Sequence, residues 1–186
     1  MTRLIKWLII ISSAMILTGT IMLGHSYYEI KQREFLLRYI PPKAVDSLLK
    51  WTDYYGMGDR WIEIFSLLMT ESGGKRKLTS PKQCQGYMQL APRTAQMLRD
   101  RLRDKIANTD IFSTEFNIAG GILHFRTIYD TAAQHDWLLT VELYNTGIFN
   151  YFVMRRYAPG HVKRYSIAET YYKFEFRKSL CRGWIK

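Results

Sequence analysis

The chain has 186 residues, enough for one domain with short extensions. Hydrophobic residues make up 47% and aromatic residues 15% of the sequence, which is ample for a buried core and excludes a disordered chain. The net charge is +11, but the cations are scattered and form neither a Lys/Arg run nor a nucleic-acid motif, so we expect no nucleic-acid partner.

Residues 1–26 predict a membrane anchor or a signal sequence. Arg3 and Lys6 precede eighteen uncharged residues, 7–24, which are long enough to cross a bilayer core as a helix. Cations at this end favour a cytoplasmic N-terminus. The apolar run is longer than the core of most signal peptides, which favours an uncleaved anchor, while the small residues Gly24 and Ser26 leave cleavage open. Under both alternatives the rest of the chain is exported. Its positive charge then suits binding to an anionic envelope surface, with solvated surface charge that has no special partner as the alternative.

Residues 27–42 are charged and aromatic, and we interpret them as a connector. Pro41 and Pro42 break any helix there and mark the predicted boundary to a domain over residues 43–186, which ends in a basic tail.

From residue 43 onward the sequence predicts a series of helices. Apolar residues recur at helical spacing, and no alternating pattern typical of a strand stands out. A small β-hairpin between Gly73 and Gln85 stays open. The predicted helix starts are, in chain order, Lys43, Asp59 as an N-cap, Pro92, Ser113 or Thr114, Asp136, and the residues after a break at Pro159-Gly160.

The segment 64–95 carries the strongest candidate for chemistry. An apolar helical run ends on Glu71-Ser72, and Gly73-Gly74 follows at once, as a helix C-cap requires. A carboxyl partly buried at a helix end can hold a proton near neutral pH, because burial disfavours its charged form. Glu71 is therefore a candidate general acid, although a glutamate in this position is more often a solvated surface residue.

Four short blocks follow one another between residues 61 and 157. They are Glu71-Ser72; residues 86–95, GYMQLAPRTA; Asn117-Ile118 with Gly121 and Leu123; and residues 143–147, LYNTG. In this order they resemble the signature of the soluble-type (SLT) lytic transglycosylases of bacterial cell walls, in which an ES pair precedes a GLMQL-x-P-x-TA segment. The resemblance implies a mainly α, lysozyme-like fold of the goose-type/SLT class, here preceded by an N-terminal transmembrane helix, and a reaction that needs no cofactor.

The resemblance also implies how the site works. Glu71 would protonate the bond between N-acetylmuramic acid and N-acetylglucosamine, and then act as the base that closes a 1,6-anhydro ring without water. A lone carboxylate suits such a reaction, because Glu63 and Asp59 precede Glu71 by about 12 and 18 Å of helix. The substrate-binding residues that the resemblance implies are Ser72, Met88, Gln89, Tyr144 and Asn145, with Gly86 and Asn117 as further candidates.

Several of these residues have a structural alternative. Met88 and Tyr144 could be core residues, and Asn117 could stabilise its own helix. Two positions also depart from the family pattern, in which a leucine stands at Tyr87 and an alanine at Leu143. The residues after Ser72 depart as well, since the family tends to place an aromatic residue and a proline there. We expect these departures to affect the shape of the glycan groove and to leave the acid in place.

The cysteines and histidines of the sequence bear on disulfide bonds and on metal binding. An exported chain with two cysteines suggests a disulfide between Cys84 and Cys181, with two free thiols as the alternative. The histidines that follow Glu71 lack the spacing of metal ligands, so we expect no metal.

Three functions stay open on the sequence alone. The favoured one is a lytic transglycosylase in the inner membrane, a single-pass protein with its catalytic domain in the periplasm, or exported there if the N-terminus is cleaved. The alternatives are a hydrolytic lysozyme of a phage lysis or entry system, and a non-catalytic wall-binding component of an envelope-spanning secretion or conjugation apparatus. Peptidoglycan strands are the expected partner of all three.

Overall fold

The computed structural model describes the backbone of residues 3–181 and the side chains of residues 10–180. Across this range the protein is helical and has no β-strand, which confirms the prediction of a mainly α fold. The helices are α1 (Arg3–Leu36), α2 (Pro42–Tyr54), α3 (Trp61–Ser72), α4 (Pro92–Leu102), α5 (Thr114–Asp130), α6 (Trp137–Thr146), α7 (Ile148–Phe152) and α8 (Pro159–Cys181).

Between α3 and α4 the chain forms a loop in place of a hairpin. Its β-type pairing is confined to isolated antiparallel bridges from Gln85 to Thr79 and to Leu90. These bridges fold residues 79–90 back on themselves without building a sheet.

Helix starts agree with the sequence where a polar cap is present. Ser113 and Asp136 each accept a hydrogen bond from the backbone N–H three residues later, as an N-cap does. The prediction for Asp59 is wrong, because a 3₁₀ turn at Gly58–Arg60 leads straight into α3 and leaves no side-chain cap. The predicted break at Pro159 is instead the first residue of α8, where the missing N–H of proline has no helical partner to lose.

The hydrophobic core is built around two central helices, α3 and α5, and the helices that pack against them. Helix α3 packs against α8, and α5 packs against α2, α4 and α6. Both central helices are apolar on more than one face, so they bury most of their side chains. The fully buried residues include Ile64, Phe65, Leu67, Leu68, Phe116, Ile118, Ile122 and Phe125.

Most of the segment predicted as a connector, residues 27–36, is the end of α1. Phe35 is fully buried and contacts aromatic rings of α3 and α8. Closer to the N-terminus, the Tyr27 hydroxyl donates to the carbonyl oxygen of Leu180 at 3.2 Å, and Tyr28 accepts a hydrogen bond from the Trp61 indole at 3.1 Å. Polar residues in this segment suggested a linker, but its aromatic side chains give it a face that packs on the domain.

The N-terminal part of α1 projects away from this packing. Within the described residues, Ile10–Leu36 is a helix long and apolar enough to cross a membrane or to serve as a signal sequence. Ile16, Met22 and Leu23 are each at least 70% exposed, and a stripe of this kind is unusual on a surface that faces water.

Candidate active site

Glu71 lies in the last turn of α3 with its side chain only 8% exposed. The helix ends directly after it, because Gly73 adopts a left-handed conformation (φ +60°) and returns its N–H to the carbonyl of Met69 at 2.9 Å. Ser72 is 4% exposed and closes the same turn, since its hydroxyl donates to the Leu68 carbonyl and accepts from the Gly74 N–H. Contact of Ser72 with substrate stays a prediction, and in the structure its hydroxyl stabilises the turn that holds Glu71.

The nearest polar partner of Glu71 is His161, at the start of α8. Its Nε2 atom lies 3.3 Å from Glu71 Oε1, and the imidazole is 4% exposed. Sequence reasoning considered this histidine only as a metal ligand and missed the contact. No local signal could have revealed it, because the two residues are ninety positions apart and meet only through the packing of α3 on α8.

Tyr144, on α6, reaches the same region. Its hydroxyl donates to the carbonyl oxygen of Met88 at 2.7 Å, and its ring packs against His124 with 5.4 Å between centroids. Burial raises the pKa of Tyr144 well above its ordinary value, and the nearby negative charge of Glu71 raises it further. Tyr144 is therefore a neutral phenol that acts by hydrogen bonding and packing rather than as a base.

The loop that faces the site is held by one buried amide. Asn117 is 1% exposed, and its Oδ1 accepts from the Met88 N–H at 2.8 Å. Its Nδ2 donates to the carbonyls of Gln85 at 2.9 Å and Ile111 at 2.8 Å. Gly86 (φ +81°) passes so close to this amide that a Cβ there would stand 2.2 Å from Asn117 Nδ2. Both residues thus hold the loop in shape, and the role of Asn117 extends beyond its own helix.

Two predicted groove residues lie differently from expectation. The Met88 side chain is fully buried and fills the space beside Gly121, where a Cβ would stand 2.4 Å from Met88 Cβ. This corrects the prediction that Met88 lines the groove with its side chain, because the missing side chain at Gly121 draws it into the core. Gln89 donates its amide to the carbonyls of Leu78 at 3.2 Å and Gly86 at 2.9 Å, so its donor is already used within the loop.

The remaining positions singled out from the sequence also divide into exposed and buried residues. Asn145 is exposed on α6 beside Tyr144, where a sugar amide could reach it. Tyr87 and Leu143, which depart from the family pattern, are at most 1% exposed, so those changes lie in the core rather than on a groove wall. The predicted bridge from Cys84 to Cys181 is not present, because Cys84 is a free cysteine in the structure; the Cys181 side chain itself lies outside the described residues. Nor do the described side chains form a cluster of three or more His, Cys, Asp or Glu that could hold a metal ion.

His124, behind Tyr144, makes the stability of the domain sensitive to acid. Burial, together with the smaller effect of the positive charge of Arg101, lowers the pKa of His124 to about 4. An unfolded imidazole titrates near pH ~6.5, so between these values the unfolded chain binds a proton that the folded domain does not. Stability from this source is therefore complete above pH ~6.5 and is lost as the pH falls toward about 4.

We expect the free energy of unfolding to fall by about 2–3 kcal/mol from pH 7 to pH 4.5 because of His124 alone. Between pH 7 and pH 4.5, the free energy of unfolding of His124→Gln should fall by about 2–3 kcal/mol less than that of the wild type. Urea titrations at both pH values measure this difference. His135→Gln is the matched control, since that side chain is 64% exposed and its loss should leave the wild-type pH dependence unchanged. Equal slopes for His124→Gln and the wild type would contradict the prediction.

The domain is helical, and its central helix α3 ends on a buried glutamate near a tyrosine that precedes an asparagine, which is consistent with the expected lysozyme-like fold. The sequence profile of the transglycosylase SLT domain matches residues 52–164, well over half of the chain. The protein therefore belongs to the SLT transglycosylase family of the lysozyme-like superfamily, and its function is of the lysozyme and lytic transglycosylase type, on peptidoglycan. Comparison with curated proteins and with solved structures finds no match.

The matched range contains the glutamate and every predicted substrate-binding residue. It also contains His161. Helix α1 lies outside it, so the family match says nothing about the membrane segment.

Proposed function

We propose that the protein is a membrane-anchored lytic transglycosylase that cleaves the β-1,4 bond between N-acetylmuramic acid and N-acetylglucosamine and leaves 1,6-anhydro ends. The observation that carries the proposal is the isolation of Glu71 as a buried carboxyl beside a neutral tyrosine. The nearby acids have other partners: Glu63 pairs with Lys173 at 2.9 Å, and Glu142 accepts the Ala158 N–H at 2.9 Å. Among the described residues, neither of these two carboxylates is thus free to activate water or attack the sugar.

The reaction then runs with one carboxyl in both roles. Glu71 gives its proton to the glycosidic oxygen as the bond from that oxygen to the anomeric carbon breaks, and N-acetylglucosamine leaves with a free 4-hydroxyl. The N-acetyl oxygen of the muramic acid stabilises the cationic anomeric carbon. Glu71, now a carboxylate, takes the proton of the C6 hydroxyl while O6 bonds to the anomeric carbon, which releases the N-acetyl group and restores the acid.

The surroundings of Glu71 supply positioning. Tyr144 fixes the Met88 carbonyl, and the Asn117 amide fixes the N–H of the same residue. We propose that the loop backbone, together with the exposed Asn145, holds the N-acetyl groups of the glycan. In this arrangement Met88 and Gln89 act through the shape of the loop.

The packing of α1 supports a place for this site relative to the membrane. Tyr27 contacts the C-terminal end of α8, while His161 lies in its first turn. Nineteen residues of helix separate Leu180 from His161, which is about 30 Å at the usual helical rise. With α1 inserted in the inner membrane, Glu71 would stand about 30 Å beyond the point where α1 meets the domain, on the periplasmic side. A fixed distance between the membrane and Glu71 suits local cleavage of the wall beside an envelope-spanning apparatus.

Product analysis distinguishes the proposed reaction from hydrolysis. Purified wall digested with the wild-type protein should yield muropeptides that are one water lighter than those released by a hydrolytic lysozyme, because ring closure replaces the attack of water. Mass spectrometry of the soluble products measures this directly. Hydrated ends would identify a lysozyme, and retention on insoluble wall without release of products would identify a non-catalytic binding protein.

A further inference from the structure

We propose that His161 is a positioning residue for Glu71, whose Nε2–H donates to Oε1 and leaves the other carboxyl oxygen to carry the catalytic proton. The inference rests on the proposed function, because it assigns a partner to the proposed acid. It adds a residue that none of the four family-like blocks contains.

The first support is the burial of the two facing atoms. Glu71 Oε1 and His161 Nε2 are both sealed from solvent, and neither makes an aligned hydrogen bond to any group among residues 10–180, including each other. They lie 3.3 Å apart, so a small rotation of the imidazole that aims its Nε2–H at Oε1 gives both atoms a partner. Two buried polar atoms without partners destabilise the fold, and a hydrogen bond between them removes that cost.

The second support is the way in which the backbone that carries the imidazole is held. The backbone N–H of His161 donates to the Ala158 carbonyl at 2.9 Å, and the backbone N–H of Ala158 in turn donates to Glu142 Oε1 on α6 at 2.9 Å. The first turn of α8 is thereby fastened to the helix that also carries Tyr144. His161 and Tyr144 therefore reach Glu71 from helices that are tied to each other.

The third support is the chemistry of a carboxyl that works twice. When Glu71 gives up its proton, a negative charge forms in a site that water scarcely reaches. A donor already aimed at Oε1 stabilises that carboxylate without reorganisation. The Nε2–H proton stays on His161 throughout, while the transferred proton leaves Glu71 for the glycosidic oxygen and is replaced from the C6 hydroxyl.

The test compares substitutions that differ in the donor they offer. His161→Leu keeps bulk and removes the donor, and we expect kcat on purified wall to fall about 10- to 100-fold with KM unchanged, the effect of one lost hydrogen bond to a charged group. His161→Gln places an amide N–H near the position of Nε2 and should recover kcat to within about threefold of the wild type. His161→Asn is too short to reach and should resemble His161→Leu. His135→Leu is the matched control on an exposed histidine and should have wild-type kcat.

The outcomes separate the inference from the proposed function. Wild-type kcat in a folded His161→Leu, or equal kcat for the Gln and Asn variants, overturns the role of His161. If thermal melting shows that His161→Leu does not fold, the comparison of Gln with Asn decides, since both are polar and only one reaches Glu71. Full activity of Glu71→Gln would instead remove the proposed function, and the assignment of His161 with it.

Discussion

Replacement of Glu71 with glutamine is expected to lower the release of anhydro-muropeptides by at least about 1,000-fold, within the range that a general acid–base group contributes. Glutamine keeps the size of the side chain and can still accept a hydrogen bond from His161, but it has no proton to give to the glycosidic oxygen. The folded structure should therefore persist, and the thermal midpoint should stay close to that of the wild type. Turnover is measured as soluble product from purified wall over time.

The matched control is Glu63→Gln on the same helix. Glu63 is a partly buried carboxyl whose partner is Lys173, so its replacement alters stability without touching the site. We expect wild-type turnover from this variant below its unfolding temperature. If Glu71→Gln released product at the wild-type rate, or if Glu63→Gln were the inactive variant, the assignment of the acid would be wrong.

The second large effect concerns stability. Asn117→Ala removes an amide that binds the Met88 N–H and the Ile111 carbonyl in a buried setting and the Gln85 carbonyl in a partly buried one. Each buried group left without a partner costs about 1–3 kcal/mol, so we expect a loss of about 3–5 kcal/mol in the free energy of unfolding. Urea titration measures this loss.

The matched control for Asn117→Ala is Asn145→Ala. Asn145 is exposed, and its removal should change stability by less than about 0.5 kcal/mol while it lowers activity on wall. The pair therefore separates an asparagine that holds the loop from one that is open to substrate. A loss below about 1 kcal/mol for Asn117→Ala would mean that water replaces the amide.

Much of the local structure followed from the sequence for a simple reason. Helix periodicity and capping depend on residues three or four positions apart, so Ser113 and Asp136 could be recognised as caps without a fold. Glycine at position 73 indicated the end of α3 because few other residues adopt a left-handed cap. The prediction of Asp59 as an N-cap was wrong because residues 58–60 form a 3₁₀ turn that leads directly into α3.

Side-chain roles at the site were harder to predict, because burial is decided by the partner and not by the residue. Met88 reads equally well as a groove or core residue until Gly121 is known to face it. Gln89 is a free amide in the sequence and a bonded one in the loop. In the same way, the polar residues of the segment 27–36 suggested a connector, and only the fold shows that its aromatic side chains pack against α8.

The sequence by itself therefore determined the helical class, the family and the candidate acid, since each is encoded in residues close together along the chain. Only the tertiary structure decided what surrounds that acid. His161 reaches Glu71 from ninety residues away because α8 packs on α3, and Tyr144 arrives on a third helix. Such contacts depend on which helix faces meet, and no spacing within a single helix records that choice.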